Sequence, residues 1–356
     1  MNTSVSFSVW TRDAWNVLLH DIQNAHKSID IEQYIFSIDS AGQKFLTALI
    51  EKAQQGVKIR LLVDAVGSFT MYQSGVPDLL RSHGIVVRIY NPISPWRITN
   101  FTSNFWRDHR KLAIIDGEIA HLGGVGIQAS MEDWRDTHMR ITGETVADIT
   151  AAFERVWKNV SAARLLPFRR EKQIPKLFNI LTNGPRPGQR YIYRTLIARL
   201  RFAQNYIYLS TPYFVPDARL LRVLKTARRR GVDVRLLVPA VADAPFVDHA
   251  GGFYFASLLK VGVKIYRYKA IMMHAKTAII DDAWATAGSF NLDNLSFLFN
   301  NEINISSTDP SFVSILKQHF LEDIQASEEL QYGEWIKRPF LKKFLEFITW
   351  PIHGIM

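Results

Sequence analysis

The sequence predicts an α/β protein of two similar lobes, each a mixed β-sheet flanked by helices, related by a pseudo-twofold and followed by a C-terminal amphipathic helix. Three observations lead there. Short apolar runs with period-2 patterning alternate with stretches whose apolar residues recur every three to four positions. The order of these segments returns in the second half of the chain. Finally, His109-x-Lys111-x4-Asp116 recurs 165 residues later as His274-x-Lys276-x4-Asp281, and Gly123-Gly124 stands at that same offset from Gly288-Ser289.

The elements follow in order. Arg12–Ala25 reads as a helix with Trp15, Leu18, Leu19 and Ile22 on one face. Ile29–Phe36 is a strand, and Gly42–Gln55 a helix ended by Gly56. Val57–Val63 (VKIRLLV) is a buried strand by its apolar run. Val76–Ser82 is a short helix stopped at Gly84, and Ile85–Tyr90 another strand. The series then repeats. Tyr206–Phe214 answers Ile29–Phe36, Asp217–Arg230 followed by GVDVRLLV answers the helix and GVKIRLLV, and Gly262–Tyr268 answers Gly84–Tyr90. The seam falls at Phe168–Gly188, where RREK and NGPRPG concentrate charge, Pro and Gly. The expected organisation is therefore a first lobe over 1–167, a linker over 168–188, a second lobe over 189–330 and a membrane-associating tail over 331–356.

Composition narrows the class. With 356 residues, 47% hydrophobic and 21% charged, the chain is globular and long enough for two cores. It holds no apolar run of transmembrane length, and MNTSVSFSVWTRDAWN lacks the basic and apolar regions of a signal peptide. The absence of cysteine rules out a disulfide framework and a thiolate metal site. A net charge of +10 favours polyanionic partners, either anionic lipid surfaces or nucleic acid, without choosing between them.

The repeated triplet carries chemistry. With Thr277–Asp281 as a strand, His274 and Lys276 lie on one face, because side chains two apart point the same way. Imidazole beside ammonium suits attack on a phosphodiester: one group supplies a nucleophile or a proton, the other neutralises the non-bridging oxygens. One such triplet arises by chance in about one chain in thirty of this length, but two with matched glycines do not. In these two H-x-K-x4-D-x6-G-[GS] motifs the chain resembles the phospholipase D superfamily, and GSFNLDNLS…NNE resembles bacterial cardiolipin synthases. The likeness extends over Asp30–Ile305.

That resemblance implies two phospholipase D-like lobes meeting at one cleft, so that His109 and His274 act as nucleophile and general acid/base through a phosphohistidine. His109 is the implied nucleophile. Lys111, Lys276, Ser289 and Asn291 would hold the phosphoryl oxygens, with Gly124 in the matching position of the first motif. No cofactor and no metal is implied, and no cluster at zinc-ligand spacing is present. A catalytic histidine needs an acceptor on its far nitrogen. Asp136, 27 residues after His109, and Glu302, 28 after His274, are the candidates; which carboxylate supports which ring stays open. Asp116 and Asp281 complete the motifs and read as structural, orienting the strand–turn. Two departures stand out: Gly126 occupies a position where the family often has Asn, so that half of the clamp is expected to be weaker or completed by Gln128, and Asn294-Leu295-Ser296 stands where many members carry Arg before Ser.

Two loops interrupt the repeat. Asn91–Asp108 carries Trp96, Phe101, Phe105 and Trp106 among Arg97 and Arg107, and Ala240–Phe255 holds Gly251-Gly252 as a hinge candidate. Both fit a lipid-lined entrance or, equally, the core between lobes. The tail Trp335–Ile352 sets Phe340, Leu341, Phe344, Leu345, Phe347 and Ile348 against Lys342, Lys343 and Glu346, the pattern of an interfacial helix or of a helix docked on the protein. The expected function is transfer of a phosphatidyl group from phosphatidylglycerol to a second phospholipid, by a peripheral protein on the cytoplasmic face of the bacterial inner membrane. The alternatives are hydrolysis to phosphatidic acid and cleavage of nucleic acid; the aromatic loops and the tail disfavour nucleic acid as a partner. A lipid-binding scaffold is disfavoured by the two intact motifs. Oligomeric state is not legible.

Overall fold

The computed structural model describes residues 2–92, 105–161, 176–243, 245–340 and 343. The first lobe runs β1 (Ser4–Trp10), α1 (Thr11–Gln23), β2 (Ser28–Gln33), α2 (Ser40–Gln54), β3 (Lys58–Asp64), α3 (Phe69–Tyr72), α4 (Val76–Ser82), β4 (Val86–Tyr90), β5 (Lys111–Ile115), β6 (Ile119–Gly123), β7 (Arg135–Thr142) and α5 (Thr145–Ser161). The second opens with β8 (Phe178–Asn183), α6 (Tyr191–Phe202), β9 (Tyr206–Ser210), β10 (Phe214–Val215), α7 (Ala218–Arg229), β11 (Asp233–Pro239), α8 (Pro245–Leu259) and β12 (Lys264–Tyr268). It closes with β13 (Thr277–Ile280), β14 (Trp284–Gly288), β15 (Leu292–Asp293), α9 (Asn294–Leu298), β16 (Glu302–Ser307), α10 (Pro310–Gln325), β17 (Ser327–Glu329) and α11 (Tyr332–Trp335).

The duplication is visible strand by strand. The first sheet has the order β1-β7-β6-β5-β2-β3-β4, and the second β17-β12-β11-β9-β13-β14-β16-β8. Read from opposite ends, they are the same sheet with β17 added at one edge. In each, three strands run parallel through helical crossovers (β2-β3-β4 and β9-β11-β12), and the motif strand then pairs antiparallel (β5 on β2, β13 on β9). Both sheets are mixed, as expected. Gly56 and Gly231 end α2 and α7 at φ +88° and +94°, a conformation that other residues resist; each turns its helix into the central VKIRLLV or VDVRLLV strand.

A core shared by both lobes forms the interface. Leu112, Leu122 and Met139 of the first sheet belong to one buried cluster with Tyr208, Ile279 and Phe320 of the second. Phe320 is 1% exposed and stacks on Tyr208 at 4.8 Å. The lobes therefore dock through apolar sheet faces, which fixes their relative placement.

The sequence reading differs from the structure in several places, and Tyr206–Phe214 is not one strand but β9 and β10, which lie in different sheets. Two edge strands, β1 and β8, went unseen; β1 alternates Ser with Val and Phe over only seven residues and pairs with β7. Because β8 pairs with β16, residues 178–183 of the expected linker are sheet, and we place the start of the second lobe there. Ala240–Phe255 is not a loop, since α8 fills most of it. Gly251 is no hinge: a Cβ there would stand 2.8 Å from the Phe214 carbonyl, so the glycine lets the helix cross β10 closely. Of the aromatic loop, Trp96, Arg97 and Phe101 lie outside the described residues. Phe105 packs near Phe299 at 6.5 Å, and Arg107 is buried against Asp64 at 3.3 Å. The expected tail helix also lies largely outside the described residues. Among those described, no helix is long and apolar enough to cross a membrane.

Candidate active site

Four backbone hydrogen bonds across the lobe interface build the site. The N–H of Asn301 donates to the Arg107 carbonyl at 2.8 Å, and that of His109 to the Asn301 carbonyl at 3.0 Å. Symmetrically, Arg135 donates to the Met272 carbonyl at 3.0 Å and His274 to the Arg135 carbonyl at 2.6 Å. Asn301 and Arg135 immediately precede Glu302 and Asp136. Each carboxylate is thus stitched beside the other lobe's histidine, and the support crosses between lobes.

The side chains agree. His109 Nδ1 lies 3.0 and 3.1 Å from the two oxygens of Glu302, and His274 Nδ1 lies 2.7 Å from Asp136 Oδ2. Burial drives His109 down to about 4 against the opposing pull of Glu302. His274 is lowered by burial and by Lys276 beside it. Burial pushes both carboxylates up, but their cationic and hydrogen-bonding neighbours outweigh it and hold them below their usual values. The resting state that follows is an ionised carboxylate accepting Nδ1–H from a neutral imidazole. That leaves Nε2 of each ring with a lone pair.

Glu302 is fully buried yet well served. Besides His109 it accepts from Ser289 Oγ at 2.5 Å, Ser296 Oγ at 2.8 Å and Asn300 Nδ2 at 3.4 Å. Asp136 accepts from the Thr137 N–H at 2.6 Å, and Arg135 beside it is held by Asp323 of α10 at 2.8 Å. Gly124 makes room here: a Cβ on it would stand 2.4 Å from Asp136 Oδ1.

Both histidines line one cavity of about 220 Å³, together with Lys111 and Asn291. Only 8% of His109 and 6% of His274 is exposed, and both rings face this space. Tyr34 meets the His109 ring edge-on at 4.8 Å, and Trp134 lies 5.3 Å from His274. Lys111 and Lys276 donate to the carbonyls of His109 and His274 at 2.7 and 2.5 Å. Burial lowers Lys111 to about 7 and Lys276 to about 8. Among the described residues, no group of three His, Cys, Asp or Glu side chains is placed to hold a metal ion. The arrangement offers two lone-pair nitrogens and the Lys111 amine at one cavity, with Lys276 buried behind His274, which suits nucleophilic exchange at an anionic phosphorus.

Other expected residues land elsewhere. Ser289, expected on the phosphate, is 0% exposed and turned to Glu302. Gln128 lies off the cavity wall, and Gly126 forms part of it. Asp116 and Asp281 sit at the far end of the motif strands, at φ +55° and +56°. Asp116 accepts the N–H groups of His26, Lys27 and Ser28 at 2.7–2.9 Å, and Asp281 those of Gln204, Asn205 and Tyr206 at 2.7–2.8 Å. Each pins the turn after its motif strand to the start of the neighbouring strand. Tyr34, Trp134, Tyr213 and Asp293 were not singled out from sequence, whereas Ser296 and Asn300 stand in the stretch that closes on Glu302 but carried no role there.

The comparisons agree with this geometry. The family model described as "Cardiolipin synthase, PLD-like domain" matches residues 18–157 and 196–324, one block per lobe. The major cardiolipin synthase ClsA of Bacillus subtilis is 35% identical, the alignment covering 95% of this chain and 72% of that protein. A cardiolipin synthase of Listeria monocytogenes is 32% identical over 98% of this chain and 74% of its own length. Among solved structures, the phosphatidylserine synthase of Haemophilus influenzae Rd KW20 superposes with a TM-score of 0.77 at 14% identity, covering 99% and 95% of the two chains, which speaks to fold alone. With two motif-bearing lobes, one shared cavity and relatives aligned along nearly its whole length, the chain belongs to the cardiolipin synthase family of phospholipase D-like proteins.

Proposed function

We propose that this chain is a cardiolipin-synthase-like phosphatidyltransferase that takes a phosphatidyl group from phosphatidylglycerol and gives it to a hydroxyl of a second phospholipid. The observation that carries it is the pair of cross-supported histidines on one cavity. Nε2 of His109 attacks phosphorus, the bond to the departing glycerol oxygen breaks, and that oxygen takes a proton from Nε2 of His274. The incoming hydroxyl then returns its proton to His274, its oxygen bonds to phosphorus, and the bond to His109 breaks. Arrival of the diester anion raises the proton affinity of Lys111, Lys276 and His274, so the charges needed appear when substrate binds. The substrates are anionic phospholipids, and the basic chain meets them as a peripheral protein on the cytoplasmic face of the bacterial inner membrane.

The test is purified protein with phosphatidylglycerol vesicles, products resolved by lipid mass spectrometry. Cardiolipin with glycerol is the expected outcome. Phosphatidic acid alone points to hydrolysis, and oligonucleotide cleavage with lipids untouched points to a nuclease. Acid-stable trapping is unsuited to a phosphohistidine, so the intermediate is mapped at alkaline pH, with the phosphate expected on His109.

A further inference from the structure

The cavity has two unlike walls. The first lobe contributes Tyr34, Ile35, Met131 and Trp134, an aromatic and apolar surface. The second contributes Tyr213, Asp243, Asn291, Asp293 and Asn300, a surface rich in oxygen.

Two of those oxygens are stranded. Asn300 Nδ2 donates to Glu302; a carboxylate only accepts, so the amide's orientation is determined and Oδ1 turns away from it. That Oδ1 is buried without a partner, as is Oδ1 of Asn291, although the two residues are only 7% and 3% exposed. A buried acceptor left this way is costly unless a ligand brings the donor. Beside them, Asp293 accepts the Ser296 N–H at 2.7 Å, and burial raises its carboxyl to about 7. Raised this way the carboxyl can carry a proton, and so can both give and take hydrogen bonds with a hydroxyl. Asp243 is already occupied by the Tyr213 hydroxyl at 2.7 Å.

Two unpaired amide oxygens with the Asp293 carboxyl on the same wall, beside the histidines, suit a ligand with several hydroxyl donors. We propose that Asn300 and Asp293 form an alcohol subsite that binds the neighbouring hydroxyls of a polyol head group and thereby selects polyol over water as acceptor. This rests on the phosphatidyltransferase reading and deepens it. In the step concerned, the polyol oxygen bonds to phosphorus, the phosphorus–nitrogen bond to His109 breaks, and the hydroxyl proton passes to His274. Water follows the same course when no polyol is held.

The experiment measures how the intermediate partitions. Protein is incubated with phosphatidylglycerol vesicles and deuterated glycerol, and labelled phosphatidylglycerol is counted against phosphatidic acid. This ratio does not depend on how fast the intermediate forms or on how much protein is folded. Asp293→Asn keeps a capping side chain on α9, and Asn300→Ala removes the stranded oxygen; each should lower the ratio by about tenfold or more, the scale of one lost hydrogen bond to a reacting group. A fall in one variant alone narrows the subsite to that residue. An unmoved ratio in both, whatever the total rate, overturns the subsite while leaving the transferase reading standing. Wild-type preference for ethanolamine over glycerol at equal concentration also overturns it. A wild-type protein that only hydrolyses, or leaves lipid untouched, ends both proposals.

Discussion

His109 and Glu302 are 193 residues apart in the chain, and the ring nitrogen of one stands 3.0 Å from the carboxylate of the other. Neither lobe contains a complete site. The partner pair, His274 and Asp136, spans 138 residues the opposite way. On the proposed function the catalytic unit is the docked pair of lobes, held by their shared core.

Crossed support has a direct consequence. Glu302→Gln should disable His109, and Asp136→Asn should disable His274, each lowering turnover by about 10³–10⁴-fold through the wrong tautomer. A p-nitrophenyl phosphodiester separates them, because its leaving group needs no acid. Asp136→Asn should then give a burst of nitrophenol followed by a stall, whereas Glu302→Gln should give no burst. Bursts of the opposite assignment would show that His274 attacks.

Gly124 is held small by Asp136. Adding one methyl places it 2.4 Å from Oδ1, so Gly124→Ala should displace the carboxylate, lower stability by about 1–3 kcal/mol and cut turnover at least tenfold. Chemical denaturation and turnover on the same preparation check it; wild-type values for both contradict the packing described.

Ser289 and Ser296 act on Glu302. Replacing either with Ala leaves a buried anion short of a donor, a loss of about 1.5–3 kcal/mol. With less support Glu302 becomes easier to protonate, so the acid limb of the pH–rate profile should move to higher pH. A Ser289→Ala profile superimposable on wild type, with weaker substrate binding only, would favour a place on the phosphate instead.

The lysines give the protein a pH signature. Burial lowers Lys111 from 10.5 to about 7 and Lys276 to about 8, so between pH 7 and 10.5 the unfolded chain holds more protons than the folded one. Stability through these groups therefore rises with pH over that window. Thermal unfolding should show that rise in wild type and a flatter curve in Lys111→Met. Phosphate, which needs the ammoniums charged, should bind more weakly at pH 9 than at pH 6.

Asp116 and Asp281 share the motif lettering without sharing the cavity. Each accepts three backbone N–H groups at a left-handed turn. Asp116→Ala should lower the unfolding free energy by about 1–3 kcal/mol while turnover per folded molecule stays within about threefold, a factor under 1 kcal/mol. A collapse of turnover without loss of stability would place this carboxylate in the chemistry.

What the chain's own order of residues determined is whatever depends on near neighbours. Strand and helix periodicity, the matched Gly56 and Gly231, and the His-x-Lys spacing all express local geometry, and they carried the duplication and the motif pairs. Local signals also misled: Gly251-Gly252 reads as a breaker, yet Ala250, Tyr254, Phe255 and Leu258 bury a helical face that outweighs glycine's poor propensity. Tertiary structure alone decided which carboxylate serves which histidine, that Ser289 turns inward, and that one cavity wall is greasy and the other bristles with oxygen. Those outcomes depend on how two apolar sheets settle against each other. Side chains more than a hundred residues apart meet only once that packing exists, and no spacing along the chain encodes the distance between them.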